Sequence, residues 1–205
     1  TLYLVSMKDA IKLAKDLGIS GLNDPSKLGL SLVLGGGEVK LVDHVNAYST
    51  LATGGIRHTQ TAILRIEDAK GTIIEEFKPD AGERVVDEKY VAMLDSILSN
   101  NENRAWVFGD KSPLQFDNRS VVAKTGTTNE FRDGWTIGYT PSLTVAVWAG
   151  NNDNSPMVTG ADGVNVAAPI WRSFLDKVLI NYPLENFPKY NPEDEIGEGE
   201  GETNK

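Results

Sequence analysis

The sequence predicts an α+β fold, in which helices come first along the chain, an antiparallel sheet of short strands follows, and a last helix covers the sheet. Three observations carry this prediction. Apolar residues recur at helical spacing in the first half of the chain, over 7–17, 38–52 and 87–98. Three segments rich in Val, Ile, Trp and Thr follow, at 120–128, 135–139 and 143–149. A final helical pattern covers 167–179, with Pro169 in its first turn.

Each early helix has its own start, stop and inward face. The first ends at Gly18, and the third has Asp87 as a candidate N-cap. The residues expected to face a core are Ile11, Ala14 and Leu17 in the first helix, Val42, Val45, Tyr48 and Leu51 in the second, and Val91, Leu94 and Leu98 in the third. Ser99 and the two asparagines after it read as the C-terminal turn of the third helix. An irregular stretch is expected from there to residue 119.

The strands should form a hairpin and a sheet. Residues 61–66 and 72–77 flank a Lys70-Gly71 turn and predict a β-hairpin. The tight corner at 139–142 makes the last two strands antiparallel neighbours. The final helix is expected to cover one face of the sheet with Ile170, Trp171, Phe174, Leu175 and Val178.

Composition excludes several classes of function. The chain has no cysteine, so a disulfide framework, a thiol nucleophile and cysteine-ligated metals are excluded. Two histidines without metal spacing predict no metal site, and nothing in the sequence calls for a cofactor. The net charge of −9 and the lack of a basic stripe argue against nucleic-acid binding. No apolar run approaches the roughly 20 residues that span a bilayer.

The charge also predicts the domain organisation. Residues 191–205 contain six carboxylates and one lysine, a net −5, together with glycines and no aromatic residue. Such a segment buries too little apolar surface to fold. We therefore expect one domain over 1–182 and an acidic, disordered tail over 183–205.

The segment with the strongest chemical character is Lys124-Thr125-Gly126-Thr127-Thr128. On a strand, Lys124 and Gly126 share a face, and the glycine leaves room for a ligand backbone beside the lysine. A carboxylate-bearing peptide could add to such an edge strand, and the amide of Thr127 could point at a developing oxyanion. Alternation sends Thr125 and Thr127 to the other face, so strong twist is needed if all three side chains are to reach one ligand.

Other candidate residues give weaker indications of a functional role. His44 follows Asp43 in the second helix, but adjacent helical residues diverge by about 100°, which favours packing over a base–orienter pair. His58 has no carboxylate neighbour in sequence. Arg132 and Asp133 are expected to be structural, as a salt bridge between two strands. Trp135, Trp148 and Trp171 are expected in the core or on a sheet face.

The residues around Lys124 resemble the bifunctional, class A penicillin-binding proteins. The stretches that carry the resemblance are 124–135, 138–141, 148–157 and 167–171, with 34–39 and 47–55 further upstream. The resemblance covers roughly residues 8–180. It implies a partial transpeptidase fold of the penicillin-binding protein and serine β-lactamase type. One departure is at 101–106, where many members have a Gly-Thr-Gly segment in a loop near the substrate.

The resemblance implies a function and a division of the active site. The parent protein is expected to be a serine D-Ala-D-Ala transpeptidase that cross-links peptidoglycan and binds β-lactams. Lys124 and Thr127 would take part in catalysis, and 124–128 would bind the stem peptide. No Ser-x-x-Lys nucleophile motif is found here. Ser99-Asn100-Asn101 fits the Ser-x-Asn motif as a string, but it lies downstream of the family's position and is interpreted as the turn that ends the third helix. We therefore expect both motifs before residue 1 and expect this chain alone to be inactive.

The resemblance extends to location and partners. A glycosyltransferase domain and a membrane anchor would precede the chain, and the site would face the periplasm or cell exterior. The chain by itself is expected to leave a sheet edge open and to self-associate through that edge. Two alternatives stay open: a non-catalytic, penicillin-recognising sensor of the same fold, or an interaction module with no enzyme activity.

Overall fold

The structure is a computed structural model that describes residues 2–22 and 28–192. The helices are α1 Leu2–Val5, α2 Met7–Asp16, α3 Leu41–Ala52, α4 Glu88–Leu98, α5 Glu102–Phe108, α6 Gly163–Val166 and α7 Ala168–Val178. The strands are β1 Ile56–Arg57, β2 Arg65–Glu67, β3 Ile73–Glu76, β4 Glu83–Arg84, β5 Val122–Thr127, β6 Asp133–Thr140 and β7 Leu143–Gly150. Short 3₁₀ turns lie at Leu30–Leu34, Asn129–Phe131 and Leu179–Asn181. In the described ranges, no helix has the length and apolar character needed to cross a membrane.

A three-stranded antiparallel sheet, in the order β5-β6-β7, forms the middle of the protein. Its register pairs Val122 with Tyr139 at one end of β5 and Thr127 with Gly134 at the other. β6 and β7 are joined by a two-residue turn after Thr140, as the corner in the sequence predicts. Helices cover both faces, with α3 on one and α7 on the other. The predicted α+β architecture is confirmed.

α7 covers its face of the sheet with a narrower stripe than predicted. Trp171 and Leu175 are buried in a core with Leu114, Val121 and Ala123. The indole Nε1 of Trp171 also donates a hydrogen bond to the Val145 carbonyl at 3.0 Å.

The prediction that Ile170 and Phe174 face the sheet is wrong. These side chains are 57% and 47% exposed. Each precedes a buried residue and is rotated from it by about 100° around the helix.

α3 packs on the opposite face through small residues. Its buried positions are Asp43, Ala47 and Thr50, whereas Val42, expected inside, is 57% exposed. Ala47 lets the helix lie close to the sheet. Asp43 tolerates burial because it accepts hydrogen bonds from the backbone N–H and the hydroxyl of Ser20, at 2.9 and 2.5 Å.

α4 begins and ends as predicted, but the segment after it differs from the prediction. The Asp87 side chain accepts the N–H of Lys89 at 2.9 Å, and Ser99 is the C-cap. The irregular stretch expected after residue 99 is wrong over 102–108, where α5 forms. Arg104 of α5 explains this helix, because its guanidinium binds the carbonyls of Leu98 at 2.7 Å and Leu114 at 3.0 Å.

The predicted hairpin is present with shorter strands. β2 and β3 pair antiparallel, but β2 begins at Arg65 rather than at Thr61. The Asp68 side chain closes the turn by accepting the N–H groups of Lys70 and Thr72. Gly71 has a φ of +82°, a left-handed conformation that favours glycine.

The chain continues past the predicted domain boundary at residue 182. Glu185 accepts a hydrogen bond from the Ser142 hydroxyl at 2.8 Å. The ring of Phe187 meets Tyr139 edge to face, with centroids 5.6 Å apart. The rest of the predicted acidic tail, 193–205, lies outside the described residues.

Candidate active site

β5 is an edge strand whose outer side is open within the described part of the chain. The N–H of Thr128 donates to Asp133, toward β6. Backbone groups alternate in direction along a strand, so Lys124 and Gly126 also point their amides toward β6. The amides and carbonyls of Thr125 and Thr127 therefore point outward, where a further strand can add.

A cleft of about 700 Å³ runs along β5. One wall is β5 with Trp135 and Ile137 of β6, and the other is the segment from Leu32 to Val39. His44 and Tyr48 of α3 line the same cleft, and Ile19 and Leu22 add apolar surface. The site thus combines an apolar hollow with an open row of backbone donors and acceptors, as binding sites for small ligands and peptides commonly do.

Lys124 lies on the cleft side of β5. It pairs in register with Ile137, which lines the cleft, and its Nζ donates to the Thr125 carbonyl. Burial lowers the pKa of the Lys124 ammonium from its ordinary value. No carboxylate within 4.0 Å pairs with this cation in the described ranges. The charge of Lys124 is therefore available to an anionic ligand.

The hydroxyls of the two strand threonines point away from the cleft. Thr127 Oγ1 accepts the N–H of Gly163 at 2.9 Å, on the side of α6. Thr125 pairs in register with Thr136, whose hydroxyl also binds Gly163. The side chains of β5 therefore alternate between the two faces, and the side chains of Lys124 and Thr127 lie on opposite faces. The outward backbone groups of Thr127, rather than its hydroxyl, lie along the same open edge as Lys124.

Gly126 and Thr128 complete the segment. A Cβ on Gly126 would have one neighbour within 4 Å, Trp135 Cβ at the ordinary contact distance of 3.5 Å, so the space beside this glycine is largely unfilled. Thr128 lies just past β5, and its Oγ1 accepts the N–H of Asp133 at 2.8 Å. Thr128 thus closes the connection between β5 and β6.

Arg132 and Asp133 do not form the salt bridge that was expected to hold two strands together. Arg132 binds Glu130 Oε2 at 2.5 Å and the Asn154 carbonyl at 2.5 Å. Asp133 instead accepts the indole N–H of Trp135 at 3.1 Å. Arg132 therefore joins the loop after β5 to the loop after β7, in the structural role that the sequence suggested.

Sequence reasoning missed the part that α3 plays in the cleft. His44 packs against Tyr48 and Trp135, with ring centroids 5.4 and 5.6 Å away. Burial lowers the pKa of His44, which favours the neutral imidazole. Burial also raises the pKa of Tyr48 to about 12. His44 and Tyr48 are four residues apart on one helix, and this spacing was the feature of the sequence that could have predicted their contact.

Arg104 was also missed, and it borders the open edge. Besides Leu98 and Leu114, its guanidinium approaches the Ala123 carbonyl at 3.5 Å. Ala123 lies two residues before Thr125, so its carbonyl also points outward. Arg104 thus covers the start of the edge, and the open stretch begins at Thr125. The departure at 101–106 therefore places a helix at this end of β5.

His58 lies outside the cleft, in a polar groove with Asp80. His58 Nδ1 is 3.1 Å from Asp80 Oδ1, a contact between residues that are 22 positions apart in the sequence. Hydrogen bonds from Thr59 and His58 lower the pKa of Asp80 to about 2. The described part of the chain has no group of three His, Asp or Glu residues that could hold a metal ion.

Comparison with known proteins identifies the family. Residues 19–176 match the family model of the penicillin binding protein transpeptidase domain. Penicillin-binding protein 1A of Mycolicibacterium smegmatis is 32% identical over 185 residues, which cover 84% of this chain and 22% of that protein. Penicillin-binding protein 2D of Bacillus subtilis is 30% identical, over 86% of this chain and 25% of that protein. The chain thus spans about a quarter of the length of these relatives.

Solved structures agree. Penicillin-binding protein PonA1 of Mycobacterium tuberculosis superposes with a TM-score of 0.74 at 25% identity, over 87% of this chain and 50% of that one. Penicillin-binding protein 1A of Haemophilus influenzae has a TM-score of 0.75 at 17% identity, over 92% of this chain and 33% of that one, and shows the shared fold alone. With the open β5 edge and the Lys124 cleft, these matches lead to one conclusion: the chain belongs to the family of penicillin-binding protein transpeptidase domains, among relatives of class A.

Proposed function

We propose that this chain forms the substrate-binding wall of a serine D,D-transpeptidase that cross-links peptidoglycan. The observation that carries the proposal is the outward row of backbone groups at Thr125 and Thr127 beside the unpaired Lys124. A peptide that ends in a carboxylate fits this arrangement, since its backbone can extend the sheet while its charge meets the lysine. Stem peptides ending in D-Ala-D-Ala have this chemistry.

Each residue of the segment has a proposed role. Lys124 attracts the terminal carboxylate, and its lowered pKa suits a part in proton transfer. The outward N–H of Thr127 donates to the oxyanion that forms when the scissile carbonyl is attacked. The Thr127 hydroxyl binds the carboxylate only if it rotates from Gly163, and the Thr125 side chain shares the face of the strand turned away from the cleft, so we assign these two hydroxyls a smaller share. Gly126 admits the peptide backbone.

The nucleophile comes from outside this chain. Its serine hydroxyl attacks the carbonyl of the penultimate D-Ala, terminal D-Ala leaves, and an amine of a neighbouring stem peptide then displaces the serine. β-Lactams would acylate the same serine. A structure of PonA1 in complex with penicillin V, which aligns with 87% of this chain at 27% identity, supports this ligand class.

The whole protein is proposed to be larger and placed outside the cytoplasm. The relatives are several times longer than this chain. We propose that the parent also carries a glycosyltransferase domain and a membrane anchor, and that the transpeptidase site faces the periplasm or cell exterior. The substrate is found there.

Covalent labelling with a fluorescent penicillin tests the proposal. The 205-residue chain and a longer protein that adds the parent residues before Thr1 are incubated with the probe and separated under denaturing conditions. We expect a band for the longer protein and none for the chain alone. A stable adduct on the 205-residue chain would contradict the proposal that the nucleophilic serine lies outside it.

A sensor that recognises penicillin without transpeptidation is the second candidate, and an interaction module is the third. A sensor would be labelled but would not release terminal D-Ala from a stem-peptide substrate. An interaction module would do neither. Release of D-Ala by the longer protein, with loss after replacement of its serine, supports the transpeptidase.

A further inference from the structure

A groove on the outer side of α7, remote from the cleft, has the composition of an anion site. It has a volume of about 500 Å³ and lies between α7 and the loop at 111–113. Its polar residues are Lys111, Ser112, Arg172, Ser173, Asp176 and Lys177. None of these residues lines the cleft along β5. Three cations and one carboxylate thus meet in a chain whose net charge is −9.

Arg172 is held rigidly at the groove. Its Nε binds Asp176 Oδ1 at 2.8 Å, and its Nη1 donates to the Gln115 carbonyl. The guanidinium also lies over the ring of Phe116, 4.0 Å from the centroid. Within the described ranges Nη2 has no acceptor, so one nitrogen of a fixed guanidinium remains available. A fixed guanidinium loses little entropy when it binds an oxyanion.

The two lysines of the groove are not neutralised by the protein. Asp176 pairs with Arg172, and no carboxylate lies within 4.0 Å of Lys111 or Lys177 among the residues that the structure describes. Their ammonium groups therefore add two uncompensated positive charges. An anion in the groove would supply the opposite charge.

Ser112 supplies an independent observation. Ser112 lines the groove and is only 7% exposed, yet its Oγ has no hydrogen-bond partner in the described part of the chain. A buried hydroxyl without a partner is costly, and such groups are rare in folded proteins. Rotation toward a bound oxyanion would satisfy it. Ser173 offers a second hydroxyl from α7.

We propose that this groove binds a phosphate-type oxyanion, through Arg172, Lys111, Lys177 and the two serine hydroxyls. Phosphate fits because it presents several acceptors to a set of donors that converge from two sides. The group could belong to a soluble phosphate ester or to a lipid headgroup. The proposal does not depend on the function of the cleft.

Titration of the ¹⁵N-labelled chain with sodium phosphate tests the site, with sodium chloride at equal ionic strength as the reference. We expect phosphate to shift the amides of Lys111, Ser112 and 173–177 and not those of 124–128. The exposed pair K111Q/K177Q should weaken binding by about tenfold, since each lost charge–charge contact contributes modestly. The pair K70Q/K78Q removes the same charge elsewhere and should leave binding unchanged.

Further arms separate the sources of the phosphate. sn-Glycerol 3-phosphate represents a soluble ester, and phosphatidylglycerol vesicles compared with phosphatidylcholine vesicles represent a headgroup. Binding to either, lost in K111Q/K177Q, supports the site. The proposal is overturned if phosphate acts no differently from chloride. It is also overturned if K70Q/K78Q weakens binding as much as K111Q/K177Q does.

Discussion

The hydroxyl of Tyr139 donates a hydrogen bond to Oδ1 of Asp95, inside the protein and between α4 and the middle strand of the sheet. Both side chains are buried, with Tyr139 1% and Asp95 2% exposed. Asp95 lies in a helix that the sequence predicted, but 44 positions separate it from Tyr139. This pair and the β5 edge lead to predictions about stability and activity.

The Asp95 carboxyl should make stability depend on pH. Burial raises the pKa of Asp95 to about 6, above its ordinary 3.8, against the opposing effect of the Tyr139 hydrogen bond. The folded-state pKa is the higher one, so the unfolded chain loses this proton first. Stability therefore falls as the pH rises from about 4 to about 6. Asp95→Asn should be more stable than the unaltered chain by about 1–3 kcal/mol at pH 7.5 and equal to it near pH 4.

Urea unfolding followed by tryptophan fluorescence measures this difference. Tyr139→Phe is the matched variant: it leaves the carboxyl buried without its donor and should cost about 1–3 kcal/mol at pH 7.5. If the Asp95→Asn chain kept the same pH dependence as the unaltered chain, the assignment to Asp95 would be wrong.

Lys124→Gln should impair acylation without impairing folding. Removing the positive charge at the carboxylate position should slow labelling of the longer protein by fluorescent penicillin on the order of 100-fold. The urea midpoint should barely change, because the side chain is partly exposed. Lys40→Gln, at the start of α3, is the control for charge alone. Labelling at the unaltered rate in Lys124→Gln would remove this lysine from the site.

Gly138→Ala should destabilise the chain by about 1–3 kcal/mol through overpacking. A Cβ at residue 138 would lie 2.2 Å from the Val122 carbonyl oxygen and 2.7 Å from Trp171 Cζ2. Gly29→Ala is a suitable control, because its nearest neighbour would be 3.8 Å away. Differential scanning calorimetry should show a lower Tm for Gly138→Ala and an unchanged Tm for Gly29→Ala. Equal Tm values would mean that α7 can move away from the sheet.

The open edge of β7 should make this chain self-associate. In the described residues β7 has a partner on one side only, and it contains eight uncharged residues without proline. Register and alternation direct the amide of Ala146 outward and that of Val147 toward β6.

Ala146→Pro should therefore remove an edge donor and yield monomers in multi-angle light scattering. Val147→Pro breaks a bond within the sheet and should unfold the chain instead. A concentration-independent monomer for the unaltered chain would contradict self-association.

The elements that the sequence predicted are those that local chemistry decides. Asp87 caps α4 because its side chain reaches the amide of Lys89 two residues away. The hairpin turn at Asp68 and the corner after Thr140 are equally local. The Lys124–Thr128 segment was recognisable for the same reason, because its composition and order are visible in five consecutive residues.

Tertiary packing decided the rest. Which side of α3 faces the sheet depends on what lies opposite, and Ala47 packs there while Val42 does not. Arg104 builds α5 and covers one end of the β5 edge through carbonyls on three separate segments. The hydroxyl of Thr127 is directed to Gly163, 36 positions away. The sequence by itself determined the strand, its lysine and the family. Only long-range contacts decided that this strand offers its backbone and one cation to the cleft, because side-chain direction and burial depend on neighbours that sequence spacing does not specify.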